Sequence, residues 1–224
     1  MAAEARAGER LALPRRLDLV TKRALDVAVA SLLLVLLSPL IAAIALAIRL
    51  TSSGPVLFRQ ARVGYRLAPF VMLKFRSMQA HTDDAIHRAY VIRMLGGDAV
   101  LGDVERGLYK LADDPRITPI GRFLRRTSLD ELPQLVNVLA GDMSLVGPRP
   151  ALPWEAKLFE PRHRIRFTVK PGITGLWQVS GRNTLTMRQA LDLDVEYALR
   201  RNLALDLATL ARTIPVVLTG RGAS

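Results

Sequence analysis

Between Asp26 and Arg49 the chain runs for 22 residues, Val27 to Ile48, without one charge, and near the middle of that run stand Ser38 and Pro39. A helix of about 20 apolar residues crosses the ~30 Å hydrocarbon core of a bilayer, so the run is long enough to be a membrane segment. Pro39 has no backbone N–H to donate and its ring clashes with the carbonyl four residues back, so a helix here must kink. Both flanks are basic, with Arg15, Arg16, Lys22 and Arg23 before the run and Arg49, Arg59, Arg62 and Arg66 after it. The usual cytoplasmic excess of Lys and Arg therefore assigns no direction of crossing. Two arrangements satisfy these constraints: a re-entrant helix that enters and leaves by the same face, and a single-pass helix that tolerates its proline.

The 224 residues can bury one sizeable core and show no internal repeat, which makes one domain with an N-terminal appendage the simplest division. We read residues 1–21 as a tail, 22–50 as the membrane helix and 51–224 as the main domain. In that domain Thr51 to Pro55 is a turn. Val56-Leu57-Phe58 and Phe70-Val71-Met72-Leu73 read as short strands around the Gly64 turn, hence a small hairpin. Residues 79–112 are helix-prone and broken by Gly96-Gly97 and Gly102. Ile120 to Arg126 alternates apolar and basic residues in helical spacing, as an interfacial amphipathic helix would. Helices are expected near 133–140, 186–201 and 203–219, with a Gly/Pro-rich span at 141–153 and a Gly-rich loop at 171–183. The fold class is α+β, mostly helical, with a little sheet.

Charge and cysteine count narrow the chemistry. Lys and Arg number 32 against 20 Asp and Glu, a formal charge of +12, which favours an anionic partner: nucleic acid, anionic lipid or a phosphorylated substrate. No cysteine is present, which removes disulfides, thiolate metal sites and cysteine catalysis, and His81, His87 and His163 lack the spacing of a zinc helix. Carboxylates, Lys, Arg, hydroxyls and a hard metal ion remain.

The carboxylates that stand out are Asp130 and Glu131, set between Leu129 and Leu132 and preceded by Arg125 and Arg126. Ser128 to Glu131 also fits a capping box, in which the acids only suit a helix N-terminus. Against that, Pro133 would sit at the fifth position of such a helix, whereas proline prefers the first turn. Adjacent carboxylates are too close to flank a glycosidic bond at the ~5–10 Å that glycosidases use. They suit phosphoryl chemistry better: Asp can attack phosphorus, Glu can act as base, and a divalent metal with Arg residues can offset phosphate charge.

The ordered blocks Lys22-Arg23-x-x-Asp26, Ser38-Pro39, Lys74-Phe75-Arg76-Ser77-Met78, Asp114 to Thr118, Ser128 to Leu135, Gly141 to Pro150 and Lys170 to Arg182 resemble the monotopic phosphoglycosyl transferases, the bacterial sugar transferases, from about Lys22 to Gly222. The short N-terminus and the closing Thr213-Ile214-Pro215 resemble the small ExoY-like members. The resemblance implies a catalytic domain on the cytoplasmic face of the bacterial inner membrane. It would move a sugar 1-phosphate from a UDP-sugar to undecaprenyl phosphate and release UMP, starting exopolysaccharide or O-antigen assembly. It further implies that Asp130 is the nucleophile of a phosphosugar-aspartate intermediate, that Glu131 assists the second step, that Mg²⁺ binds at the pair, and that Ser38-Pro39 makes the helix re-entrant.

Substrate-binding candidates follow from the same blocks. Arg149, between two prolines with little backbone freedom, suits bidentate phosphate binding or a structural salt bridge. Arg125 could bind phosphate or headgroup. Lys74 and Arg76 end a strand and could reach the diphosphate or only touch lipid. Trp177, Gln178 and Arg182 lie in the Gly-rich loop and could cover the nucleotide, with an interfacial anchor as the other reading of Trp177. The partners expected are a UDP-sugar, undecaprenyl phosphate and the phospholipid membrane, with a homodimer left open. No nucleic acid is expected, since aromatics are 5 % of the chain and no stacking motif stands out. A membrane-anchored basic module without catalysis, and a glycosyl transferase releasing UDP, are the competing functions.

Overall fold

The computed structural model describes residues 16–79, 116–181 and 185–219. Arg182 and the helix-prone 80–112 stretch lie outside these. Helix α1 (Arg16–Leu36) begins inside the expected tail, and α2 (Ser38–Thr51) follows at a 62° bend. Among the described residues no single helix is long and apolar enough to cross a membrane; the bent pair passes that test together. The 14 residues of α2 rise only about 21 Å, short of a ~30 Å core.

Side-chain chemistry explains why the chain tolerates this break. Pro39 lacks the N–H that would reach the Val35 carbonyl, and the Ser38 hydroxyl donates to that carbonyl instead, at 2.8 Å. The helical ladder continues on either side, Leu37 N–H to Leu33 and Ile41 N–H to Leu37. In water the Val35 carbonyl would find a solvent partner, whereas in hydrocarbon it has only Ser38. Ser38→Ala is therefore expected to lower the melting temperature by about 2–4 °C in bilayer nanodiscs, the effect of losing about 1 kcal/mol in a chain of this size, and by less in detergent-free water-exposed states. Differential scanning calorimetry of both variants checks it. The outward side chains of the pair are apolar, Leu32, Val35, Leu36, Leu46 and Leu50 each being more than half exposed.

Strands β1 (Leu57–Val63) and β2 (Pro69–Phe75) form the expected hairpin, longer than its apolar runs, with Leu57 opposite Phe75 and Val63 opposite Pro69. After them come α3 (Pro119–Arg126), a 3₁₀ turn at Leu129–Glu131 and α4 (Gln134–Ala140). Strand β3 (Ser144–Val146) precedes α5 (Pro153–Leu158) and a 3₁₀ stretch at Pro161–Thr168. The segment read as a Gly-rich loop contains β4 (Gly172–Thr174) and the single turn α6 (Leu176–Val179). Helices α7 (Met187–Arg200) and α8 (Leu203–Thr219) close the described chain. β3 and β4 pair in parallel, Ser144 with Gly172 and Val146 with Thr174, a pairing that three-residue strands could not announce by periodicity.

Apolar packing joins these pieces. Ala30 of α1, Met72 of β2, Leu135 and Val138 of α4, Val146 of β3 and Tyr197 of α7 belong to one core cluster. Ile44 and Ile48 of α2, Phe75 of β2 and Leu124 of α3 form another. The Lys22-Arg23-x-x-Asp26 motif supplies the polar fastening. Lys22 pairs with buried Asp206 of α8 at 2.7 Å, Arg23 donates to the Val138 and Leu139 carbonyls at the C-terminus of α4, and Asp26 accepts from the Leu145 N–H. A cation on the last carbonyls of a helix meets the negative end of its dipole.

Candidate active site

Asp130 and Glu131 lie in the 3₁₀ turn that leads into α4. Ser128, in the left-handed region at φ 57°, reverses the chain out of α3 and makes no capping hydrogen bond through its side chain, so the capping box is not formed. α4 starts at Gln134 with Pro133 at its N-cap, where a missing N–H costs nothing. The acids thus precede the helix. Asp130 is buried at 9 % exposure, and Glu131 Oε1 accepts from Lys74 Nζ at 3.0 Å, with both of those side chains mostly enclosed. Lys74 is brought there by β2.

Asn137, which the sequence reading passed over, secures that arrangement. It is 4 % exposed; its Oδ1 accepts from the Leu73 N–H at 3.0 Å and its Nδ2 donates to the Val71 carbonyl at 2.8 Å. The amide behaves as one more strand segment beside β2, fixing α4 against the residue next to Lys74. The available signal was a single amide inside the apolar stretch Leu135 to Leu139.

Arg149 is built into a second locus. Its flanking prolines have no N–H, and the three carbonyls of Pro148, Arg149 and Pro150 each accept from a different element: the Gly172 N–H at 2.9 Å, Arg166 Nη2, and Arg62 Nη1 at 3.0 Å. Such a turn has little freedom, and its central side chain is aimed accordingly. Arg62, Arg149, Arg166, Glu155, Asp194 and Trp177 line a common cleft of about 50 Å³. Trp177 is 3 % exposed, an enclosure that leaves no face for lipid, and Gln178 beside it is 7 % exposed. Arg125 is half-buried in the last turn of α3, and Arg76 is turned toward Ser52 at the C-cap of α2.

Arg166 also pairs with Asp194 at 2.6 Å, both enclosed. Burial pushes the Asp194 carboxyl up to about 6 against the pull of the Arg166 guanidinium. The folded state then holds this proton more tightly than the unfolded one, so the contribution to stability is full below the ordinary carboxylate range and is lost as pH rises through about 6. Asp194→Asn is expected to be less stable at every pH but to lack that decline. Thermal melts at pH 4.5 and pH 6.5 check the difference in slope.

Residues 17–220 match the family model described as bacterial sugar transferase. The chain belongs to the bacterial sugar transferase family. Relatives of this sugar transferase include the exopolysaccharide production protein ExoY of Rhizobium meliloti, 38 % identical over 203 residues, covering 91 % of this chain and 88 % of the relative. The UDP-glucose:undecaprenyl-phosphate glucose-1-phosphate transferase of Caulobacter vibrioides is 42 % identical over 215 residues, 92 % and 73 % of the two chains. The undecaprenyl-phosphate galactose phosphotransferase of Salmonella typhimurium is 40 % identical over 212 residues, 94 % of this chain and 43 % of that one. The chain is accordingly an enzyme of the sugar transferase family, and the carboxylate pair and the arginine-lined cleft are where its chemistry is to be sought.

Proposed function

We propose that this sugar transferase moves a sugar 1-phosphate from a UDP-sugar to undecaprenyl phosphate, releases UMP, and passes through a covalent intermediate on Asp130. The observation that carries the reading is an enclosed Asp130 beside a Glu131 that already has its own cation, Lys74. The names of the relatives support the lipid acceptor and, for the Caulobacter protein, the uridine donor.

In the first step the Asp130 carboxylate attacks the β-phosphorus of the donor. A bond forms between its oxygen and phosphorus, the pyrophosphate P–O bond breaks, and the electron pair leaves with UMP. In the second step an oxygen of undecaprenyl phosphate attacks the same phosphorus, and Asp130 departs as carboxylate. Glu131, held by Lys74, accepts any proton carried by the attacking phosphate. Arg149, fixed through three backbone carbonyls, offers its guanidinium to the donor's phosphate oxygens, and Trp177 and Gln178 bound the cleft beside it.

Among the described residues no cluster of three or more His, Asp or Glu could cage an ion. Two adjacent carboxylates fit Mg²⁺ in its common form, held by one or two protein carboxylates together with substrate phosphates. Asp130 and Glu131 would hold it, and it would supply charge neutralisation on the diphosphate. The bent α1–α2 pair would enter the inner membrane from the cytoplasmic face and return to it.

The test is nucleotide release by the full chain in nanodiscs, with a panel of UDP-sugars, undecaprenyl phosphate and Mg²⁺. UMP that depends on the lipid phosphate is the expected product and names the sugar. UDP in its place makes the enzyme a glycosyl transferase and overturns the reading.

A further inference from the structure

Arg76 is 5 % exposed, and two of its three guanidinium nitrogens, Nε and Nη1, are buried without a hydrogen-bond partner among the described residues. The third, Nη2, donates to the Ser52 carbonyl at 2.9 Å and to the Ser52 hydroxyl at 2.7 Å. Among the described residues no carboxylate pairs with it. Arg62 and Arg166, comparably enclosed, each have one: Glu155 for Arg62 and Asp194 for Arg166. A guanidinium stays charged in a protein, and an enclosed charge is ordinarily paired or fully hydrogen-bonded. The carbonyl dipoles at the end of α2 answer Nη2 alone. Donors left on the other two nitrogens suit an anion with several acceptor oxygens, which is the chemistry of a phosphate group.

The position decides which phosphate. The uncharged run ends at Ile48, and Ser52 lies four residues on, about 6 Å along a helix. The polar zone on each side of a ~30 Å core is about 5–7 Å deep, so with α2 in the membrane Ser52 and Arg76 sit at the level of lipid phosphates. Arg76 is held at that level because its own N–H donates to the Val56 carbonyl, continuing the β1–β2 ladder. Two residues back, near the end of β2 and about 7 Å away, stands Lys74 with its Nζ on Glu131. Arg149 is fastened by other groups, Gly172, Arg166 and Arg62. We propose that Arg76 binds the phosphate of the polyprenyl acceptor, at a site separate from the Arg149 cleft, and delivers it beside the carboxylate pair. This rests on the phosphoglycosyl transfer proposed above.

Steady-state kinetics of the full chain in nanodiscs test it, with undecaprenyl phosphate and UDP-sugar varied in turn and the acceptor-independent UMP burst measured separately. Arg76→Gln is expected to raise the apparent KM for undecaprenyl phosphate about tenfold or more while the donor KM and the UMP burst stay within about twofold. Arg76→Lys, which keeps the charge with fewer donors, is expected to raise it several-fold and carries the test if the Gln variant does not fold. Ser52→Ala removes the hydroxyl contact and leaves the guanidinium, and both KM values should stay within about twofold. If the donor KM rises or the burst disappears while the acceptor KM holds, the anion is the donor's phosphate and the assignment is overturned. An equal acceptor effect in Ser52→Ala and Arg76→Gln means that Arg76 only fastens α2, which also overturns it. Wild type without acceptor-dependent UMP release would instead sink the reaction itself, and this site with it.

Discussion

Asp130→Asn is expected to abolish transfer, with kcat reduced about a thousandfold or more, and to abolish the covalent phosphosugar adduct. Asparagine keeps the size and one oxygen of the side chain, but a neutral amide is a poor nucleophile and cannot form the acyl phosphate. The substitution is isosteric and leaves the Glu131–Lys74 ion pair of the same turn in place. Intact mass spectrometry after mixing enzyme with UDP-sugar in the absence of lipid reads the adduct directly, as a mass increase of one sugar phosphate in wild type and none in the variant. Transfer at wild-type rate by Asp130→Asn would remove Asp130 from the nucleophile's role and return attention to Glu131.

The largest effect on stability should come from a methyl group. A Cβ on Gly172 would lie 2.1 Å from the Gly147 nitrogen and 2.4 Å from the Thr174 carbonyl oxygen, both backbone atoms that cannot swing aside as a side chain can. Gly172→Ala must therefore part β3 from β4, at a cost of about 3 kcal/mol or more, which lowers the melting temperature by ~6–12 °C. The same substitution displaces the N–H that fixes the Pro148 carbonyl, so the remaining folded protein should also lose affinity for the donor. A variant that melts and turns over like wild type would show that the two strands are not in this close register.

What could be read ahead of the structure was what proline and alternation determine locally. Ser38-Pro39 announced the break, because a missing N–H acts within one turn of helix whatever surrounds it. Pro133 placed the acids ahead of α4 by the same logic, and the two strand runs located the hairpin although each strand extends further. The features that escaped depend on residues distant in sequence. Asn137 reaches β2 across more than sixty positions, and β3 meets β4 through strands too short to carry a period. The pairing of Arg166 with Asp194, and the choice of Ser52 over a carboxylate by Arg76, are matters of which groups burial brings together. Residue type and the flanking prolines marked Arg149 as a phosphate candidate; the three carbonyl contacts that fasten its turn are ones no motif records.

Lys22, Arg23 and Asp26 reach three different parts of the molecule from little more than one turn of α1. A helix held at three points along one face, each to a different part of the body, can neither spin about its axis nor slide along it. Any force applied to the apolar half of α1 is then transmitted to the whole body as a lever transmits it. With the bent pair in the membrane as proposed above, a bilayer thicker or thinner than the pair prefers would tilt the entire molecule instead of being absorbed by a loose joint, carrying Asp130 nearer to or farther from the lipid headgroups. Turnover should accordingly follow acyl-chain length, which makes the thickness of the membrane a setting on the catalyst.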